Sequence, residues 1–150
     1  MSLVIARSKR FLDHDPGAWH PERPERLAAI DRGLGEAATA GLAFEELTPR
    51  AASREELLSV HDPAHVERLE AARGRAMQID PDTATSPDSV EVAGLAAGAT
   101  IDLVRRVAEG RGHTGLALVR PPGHHAIPQR SMGFCLYGNL AVAVKRLLDE

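Results

Sequence analysis

Short apolar runs alternate along this chain with longer stretches in which apolar residues return every third or fourth position. Residues 3–6 form a four-residue apolar run, readable as a buried strand. From Pro24 the pattern changes: Leu27, Ile30, Leu34 and Ala37 predict a helix, with proline welcome in its first turn and Gly41 as its stop. Residues 44–47 are a weak strand candidate. Ser53 and Glu56 have the S-x-x-E spacing of a capping box, opening a short helix that carries Leu57 and Leu58. Asp62-Pro63 starts another helix, through Val66 and Leu69 to Gly74.

Residues 77–88 read as a loop of turn formers, with Ser86-Pro87 as the cap and first turn of a long helix. Val90, Gly94, Ala97, Ile101, Val104 and Ala108 lie on one face of that helix. Gly94 and Gly98 each cost about 1 kcal/mol against alanine in a helix. Close approach to a neighbouring element is the expected compensation, and Gly110 the expected end. Residues 115–119 are the best strand in the chain. After a proline- and histidine-rich loop, Asn139 is read as the cap of a helix through Val142, Val144 and Leu147. Strands separated by helices indicate an α/β fold with a parallel sheet, in which ligands gather beyond the carboxyl ends of strands. The segment 120–133 leaves such an end.

Composition narrows the function classes. The net charge is −3, without the basic excess of a nucleic-acid binder, and aromatics are 3%, too few for base-stacking platforms. No apolar stretch nears the ~18 residues of a membrane span. Residues 1–7 lack the basic start and long apolar core of a secretory signal. Cys135 is the sole cysteine, so no intrachain disulfide forms; the expected compartment is the cytoplasm.

The densest chemical signal is Arg120-Pro121-Pro122-Gly123-His124-His125-Ala126. Two prolines stiffen the approach and Gly123 permits a backbone shape closed to other residues. Histidine is the commonest general acid/base, so one of two adjacent imidazoles can move a proton while the other stabilises developing negative charge. Gly133-Phe134-Cys135 follows closely and could complete a narrow apolar slot. The bland alternatives are a hydrogen-bonded histidine pair, Phe134 in the core and Cys135 as a small buried hydrophobe.

Residues 120–126 and 133–143 resemble the signature of the histone deacetylase superfamily. That superfamily includes class II-like bacterial deacetylases and acetylpolyamine amidohydrolases. His20-Pro21-Glu22-Arg23-Pro24-Glu25-Arg26 is similar to its early HPE-x-P-x-R block, and Asp80-Pro81-Asp82-Thr83 to its substrate loop. Val60, His61, His65 and Val66 also fit. The resemblance runs from about residue 14 to residue 143 and implies a three-layer α/β arginase/deacetylase-type fold with a mainly parallel sheet. It implies a Zn²⁺-dependent amide hydrolase that deacetylates an acetyl-lysine side chain, in a peptide, or an acetylpolyamine, together with a structural K⁺. Carried over residue by residue, His125 is the general base and then the acid, and His124 is chiefly electrostatic. Phe134 and Gly133 line the acyl slot, Asp82 is the rim carboxylate, and Arg26 belongs to a product channel.

Two departures accompany the match. Gly138 stands where the family usually has the first of two asparagines. The family's metal ligands, an Asp-x-His motif and a later aspartate, have no counterpart after the tandem histidines. The expectation is that residues 1–150 are the N-terminal part of a single deacetylase domain, incomplete at the C-terminus, with the acid/base half of the site, no metal ligand, an open sheet edge and bare apolar helix faces. Asp13-His14-Asp15 is a poor substitute metal site, and His61 and His65 are expected to be structural. Glu67, Arg68, Glu70 and Arg73 read as a solvated helix face, and His20 and Glu22 as fixing the loop before the first helix. Two other readings stay open: a cysteine hydrolase using Cys135 and His125, and a non-catalytic association module. Chelator sensitivity and zinc binding separate them from the first.

Overall fold

The computed structural model describes residues 3–150; Met1 and Ser2, part of the amino-terminal stretch read above, lie outside the described residues. The strands β1 (Leu3–Arg7), β2 (Phe44–Leu47) and β5 (Thr114–Leu118) form one sheet in the order β2-β1-β5. Both pairings are parallel: Leu3 lies opposite Phe44 on one side and Thr114 on the other. Val4, Ile5 and Ala6 are fully buried, as a central strand covered on both faces requires. The helix α1 (Glu25–Thr39) crosses from β1 to β2 and gives Leu27 and Leu34 to the core around β1.

The helices α2 (Arg54–Leu58) and α3 (Pro63–Ala72) start as their caps dictate. The Ser53 hydroxyl accepts from the Glu56 amide, the Glu56 carboxylate accepts from the Ser53 amide, and the Asp62 carboxylate accepts from the Ala64 amide. The long helix α4 (Ser89–Ala108) gives Val92, Ala96, Ala99 and Leu103 to the β1 core. Its other face carries Val90, Ala93 and Ala97 into a second cluster with Leu57, Val66, Leu69, Leu136 and Tyr137. The last helix, α5 (Asn139–Leu148), packs on α4 through Val142 and Ala143 against Ile101.

Four local expectations are corrected. Residues 77–88 are no loop: β3 (Met77–Asp80) and β4 (Thr83–Thr85) pair antiparallel around Pro81-Asp82. Apolar alternation, the usual strand signal, is missing there because the buried side chains of β4 are Thr83 and Thr85. The second correction is the start of α4, which begins at Ser89 after Asp88; Ser86 lies before it, its amide donating to the Ser89 hydroxyl. Third, Asn139 does not cap α5. Gly138 occupies the cap without a side chain to offer, and the Asn139 side-chain Nδ2 donates to the Pro121 carbonyl instead.

The fourth correction divides the glycine pair. A Cβ on Gly98 would lie 2.2 Å from the Arg50 carbonyl oxygen and 2.6 Å from the Ala52 nitrogen. A Cβ on Gly94 would meet nothing, and only its carbonyl is engaged, by the Ala52 amide. The close approach that the sequence requires of both therefore falls on Gly98 alone.

Among the described residues β5 has no partner beyond β1, and Leu116 on it is partly exposed. An apolar groove of about 410 Å³ runs beside it, between Leu103, Val104 and Val107 of α4 and Leu140 and Leu147 of α5. Leu140 and Leu148 are exposed. No helix among the described residues is long and apolar enough to cross a membrane.

Candidate active site

The carboxyl end of β5 leads directly into Arg120, and the chain then runs through Pro121 and Pro122 to the tandem histidines. Gly123 is where this loop touches the next: a Cβ there would stand 2.5 Å from the Asn139 nitrogen and 2.8 Å from the Tyr137 carbonyl oxygen. Only glycine fits between them. The rings of His124 and His125 follow with centroids 4.3 Å apart and planes inclined by 59°, both side chains exposed.

His125 is held from two directions. Its amide donates to the Cys135 sulfur at 3.4 Å, and its ring packs on Gly133, where a Cβ would come within 2.6 Å of Cδ2. Gly133 and Phe134 have φ of +57° and +70°, so the chain turns left-handed twice at this point. That conformation is cheap for glycine and costs about 1–2 kcal/mol for phenylalanine. Two side chains from the hairpin hold it. The Gly133 amide donates to the Asp82 carboxylate at 3.1 Å, and the Phe134 amide to the hydroxyl of fully buried Thr83 at 3.0 Å. The Thr83 hydroxyl in turn donates to Asp82 at 3.0 Å. Hydrogen bonding to Thr83 and to the Asp80 side chain, with the Gly133 amide, lowers the Asp82 pKa.

Asp82, His125, Met132 and Gly133 thus border one open depression of about 340 Å³, with Asp80 and Pro81 on its rim. His20 joins Phe134 edge-on at 4.7 Å, and its Nε2 lies 3.0 Å from the Asp82 carbonyl oxygen, so it donates there. His20 and Thr83 are the contributions that the sequence reading missed. His20 does fix its own loop, with Nδ1 accepting from the Glu22 amide, and it also ties that loop to the Asp82 backbone and the Phe134 ring. Arg26 lies apart, exposed on the first turn of α1. It lines a separate cavity of about 110 Å³ with Leu27, Ile30, Glu22, Arg120 and Pro122.

Cys135 is fully buried, its thiol donating to the Gly133 carbonyl, and burial pushes its pKa up. A nucleophile needs access and an accessible thiolate, and Cys135 has neither. His61 and His65 are buried and hold backbone: Nε2 of His61 accepts from the Gly138 amide, and Nε2 of His65 donates to the Leu136 carbonyl. The early segment is dispersed, with Asp13 on Arg10 and His14 turned into the interior toward Glu22 and Ser89. Among the described residues no three His, Cys, Asp or Glu side chains converge as a metal site. Zinc hydrolysis uses about three protein ligands, so the residues present do not fit a catalytic zinc.

A parallel α/β sheet thus carries an imidazole pair beyond a strand end, and the second imidazole shares a depression with the Asp82 carboxylate. The comparisons give it a family. Residues 20–150 match the model of the histone deacetylase domain. Over 128 residues the chain is 42% identical to histone deacetylase 15 of Arabidopsis thaliana, an alignment covering 83% of this chain and 23% of that protein. It is 36% identical over 151 residues to a probable deacetylase of Archaeoglobus fulgidus, covering all of this chain and 42% of that one. A histone deacetylase-like amidohydrolase of Pseudomonas aeruginosa is 36% identical over 130 residues, covering 85% and 34%. The crystal structure of the HDA15 HD domain superposes with a TM-score of 0.89 at 36% identity, covering 95% of this chain and 42% of that one. The chain belongs to the histone deacetylase family and has its arginase/deacetylase fold. It spans less than half the length of each of these relatives.

Proposed function

We propose that this chain supplies the proton-transfer side of an amide hydrolase acting on an acetyl-lysine side chain, in a peptide, or on an acetylpolyamine. The observation that carries this reading is the placement of His125, packed on Gly133 beside His124 and bordering one depression with Asp82. In that role His125 takes the proton from a water attacking the acyl carbon and delivers it to the leaving amine nitrogen. His124 stabilises the charge that develops meanwhile. Phe134 and Gly133 flank the acyl chain, and the ionised Asp82 accepts hydrogen bonds from an amide or ammonium group of the substrate. Arg26 and the cavity under Pro122 are the way out for the carboxylate product, which suits a cation at the cavity's edge.

Zinc belongs to the chemistry the family implies, but no residue here is assigned to it or to a structural K⁺. The test is a folded chimera in which residues 1–150 replace the matching part of the Archaeoglobus relative. It is expected to hydrolyse an acetyl-lysine peptide. His125→Ala in it should lower kcat by about 10²–10⁴-fold, the usual size of an acid/base contribution. A loss below about threefold at unchanged fold would refute the assignment.

A further inference from the structure

The strongest unassigned feature of the interior is a chain of buried polar groups behind the tandem-histidine loop. Arg120 is 3% exposed and Glu22 2%, yet they are 98 residues apart in sequence. The guanidinium grips the carboxylate with both forks: Nε to Oε1 at 2.5 Å and Nη2 to Oε2 at 2.8 Å. Its third nitrogen, Nη1, donates to the Phe11 carbonyl at 2.9 Å. On the far side of the carboxylate, Nε2 of His14 lies 3.4 Å from Oε2, and Nδ1 of His14 lies 2.7 Å from the Ser89 hydroxyl. Ser89 accepts from the Ser86 amide at 2.7 Å. The donors order themselves accordingly: the Ser89 hydroxyl donates to Nδ1, and Nε2–H donates to Glu22.

This network joins three separate parts of the fold: the loop between β1 and α1, the first turn of α4, and the residue at which β5 becomes the histidine loop. A bidentate guanidinium–carboxylate pair fixes orientation as well as distance. Burying it is costly unless all its members are satisfied, and here each has a partner. Nothing about the sheet requires an ion pair at this point; an apolar pair of similar volume would fill the space. What the ion pair adds is a fixed root for a loop of two prolines and a glycine, too stiff to correct an error at its start. Four residues on stands His124.

We infer that Glu22, gripped by Arg120 and His14, is a positioning residue for the His124–His125 pair. The inference rests on the reading of that pair as the proton-transfer groups, but its test does not use turnover. Glu22→Gln keeps the shape and removes the charge; Arg120→Lys keeps the charge and removes the fork. Amide hydrogen exchange and ¹⁵N-histidine ring spectra are recorded on the 150-residue chain and on each variant. The expected result is local. Exchange at His125, whose amide donates to the Cys135 sulfur, quickens by at least about tenfold, the factor that about 1.4 kcal/mol gives. The ring signals of His124 and His125 double or broaden, while the amides of β1 keep their protection.

Unchanged loop exchange in a folded variant, or an increase shared evenly by β1, overturns the inference. If both variants fail to fold, the pair is a folding determinant and the positioning role is likewise overturned. Failure of the functional reading looks different: a local loosening of the loop as expected, with no hydrolysis by the chimera.

Discussion

The imidazole of His125 lies on the α-carbon of Gly133, with room for no other residue: an added Cβ would stand 2.6 Å from the ring. At the same position φ is +57°, so a side chain would also be strained by the backbone. One glycine therefore serves both the turn and the placement of the histidine. Gly133→Ala should destabilise the chain by about 1–3 kcal/mol, the usual range for overpacking. It should also shift the His125 ring signal more than that of His61. Urea denaturation with histidine ring NMR checks both, and an unmoved His125 signal would contradict the contact.

The two α4 glycines give opposite outcomes. Gly98→Ala puts a methyl into the Arg50–Ala52 backbone and should cost at least about 3 kcal/mol, the upper end for overpacking, because backbone cannot rotate away. Gly94→Ala meets open space and should stabilise by up to about 1 kcal/mol through helix propensity. Denaturation midpoints of the two variants decide it; equal effects would show that α4 packs differently.

Acid should weaken the fold through His61 and His65. Burial lowers both of their pKa values from the ordinary 6.5, so each is neutral when folded and protonated more readily when unfolded. The unfolded state then binds more protons below about pH 6.5, and stability is full above that point and falls as pH drops through it. A proton on Nε2 of His61 would also face the Gly138 amide that it now accepts from. Thermal midpoints should fall between about pH 7.5 and 5.5, and the double variant His61→Gln/His65→Gln should flatten that fall. Glu22 adds a second, lower window. Burial favours its neutral form, but His14 and Arg120 outweigh that and hold it at about 2 against an ordinary 4.5. Its stabilisation is present above 4.5 and is lost as pH falls toward 2. A double variant as acid-sensitive as the parent above pH 5 would contradict the histidine account.

The elements with strong local signals were legible in the sequence. The capping box at Ser53, the Asp62-Pro63 start and the apolar strands stand where the pattern puts them, because each is decided by neighbours in sequence. The β3–β4 hairpin was not legible, since its inward positions are threonines that bury hydroxyls with specific work. The α/β parallel class, the histidine loop beyond a strand end and the grouping of His124, His125, Gly133 and Phe134 were legible from the pattern, whereas the three-layer family fold and the addition of Asp82 came only by resemblance. The Glu22–Arg120 pair lies beyond any local pattern: nothing within either segment signals a partner 98 residues away. His20 was visible as a histidine in a recognised block, but its contact with Phe134 depends on two loops meeting.

Metal binding by the 150-residue chain is the most direct test that it carries the proton-transfer side of the site and not the metal side. The purified chain is dialysed against Zn²⁺, its metal content is measured, and hydrolysis of an acetyl-lysine peptide is followed with and without chelator. The account predicts no stoichiometric zinc and no chelator-sensitive turnover, since a zinc hydrolase needs about three protein ligands. No such set converges among the described residues. One tightly bound zinc per chain, with turnover that a chelator abolishes, would contradict it.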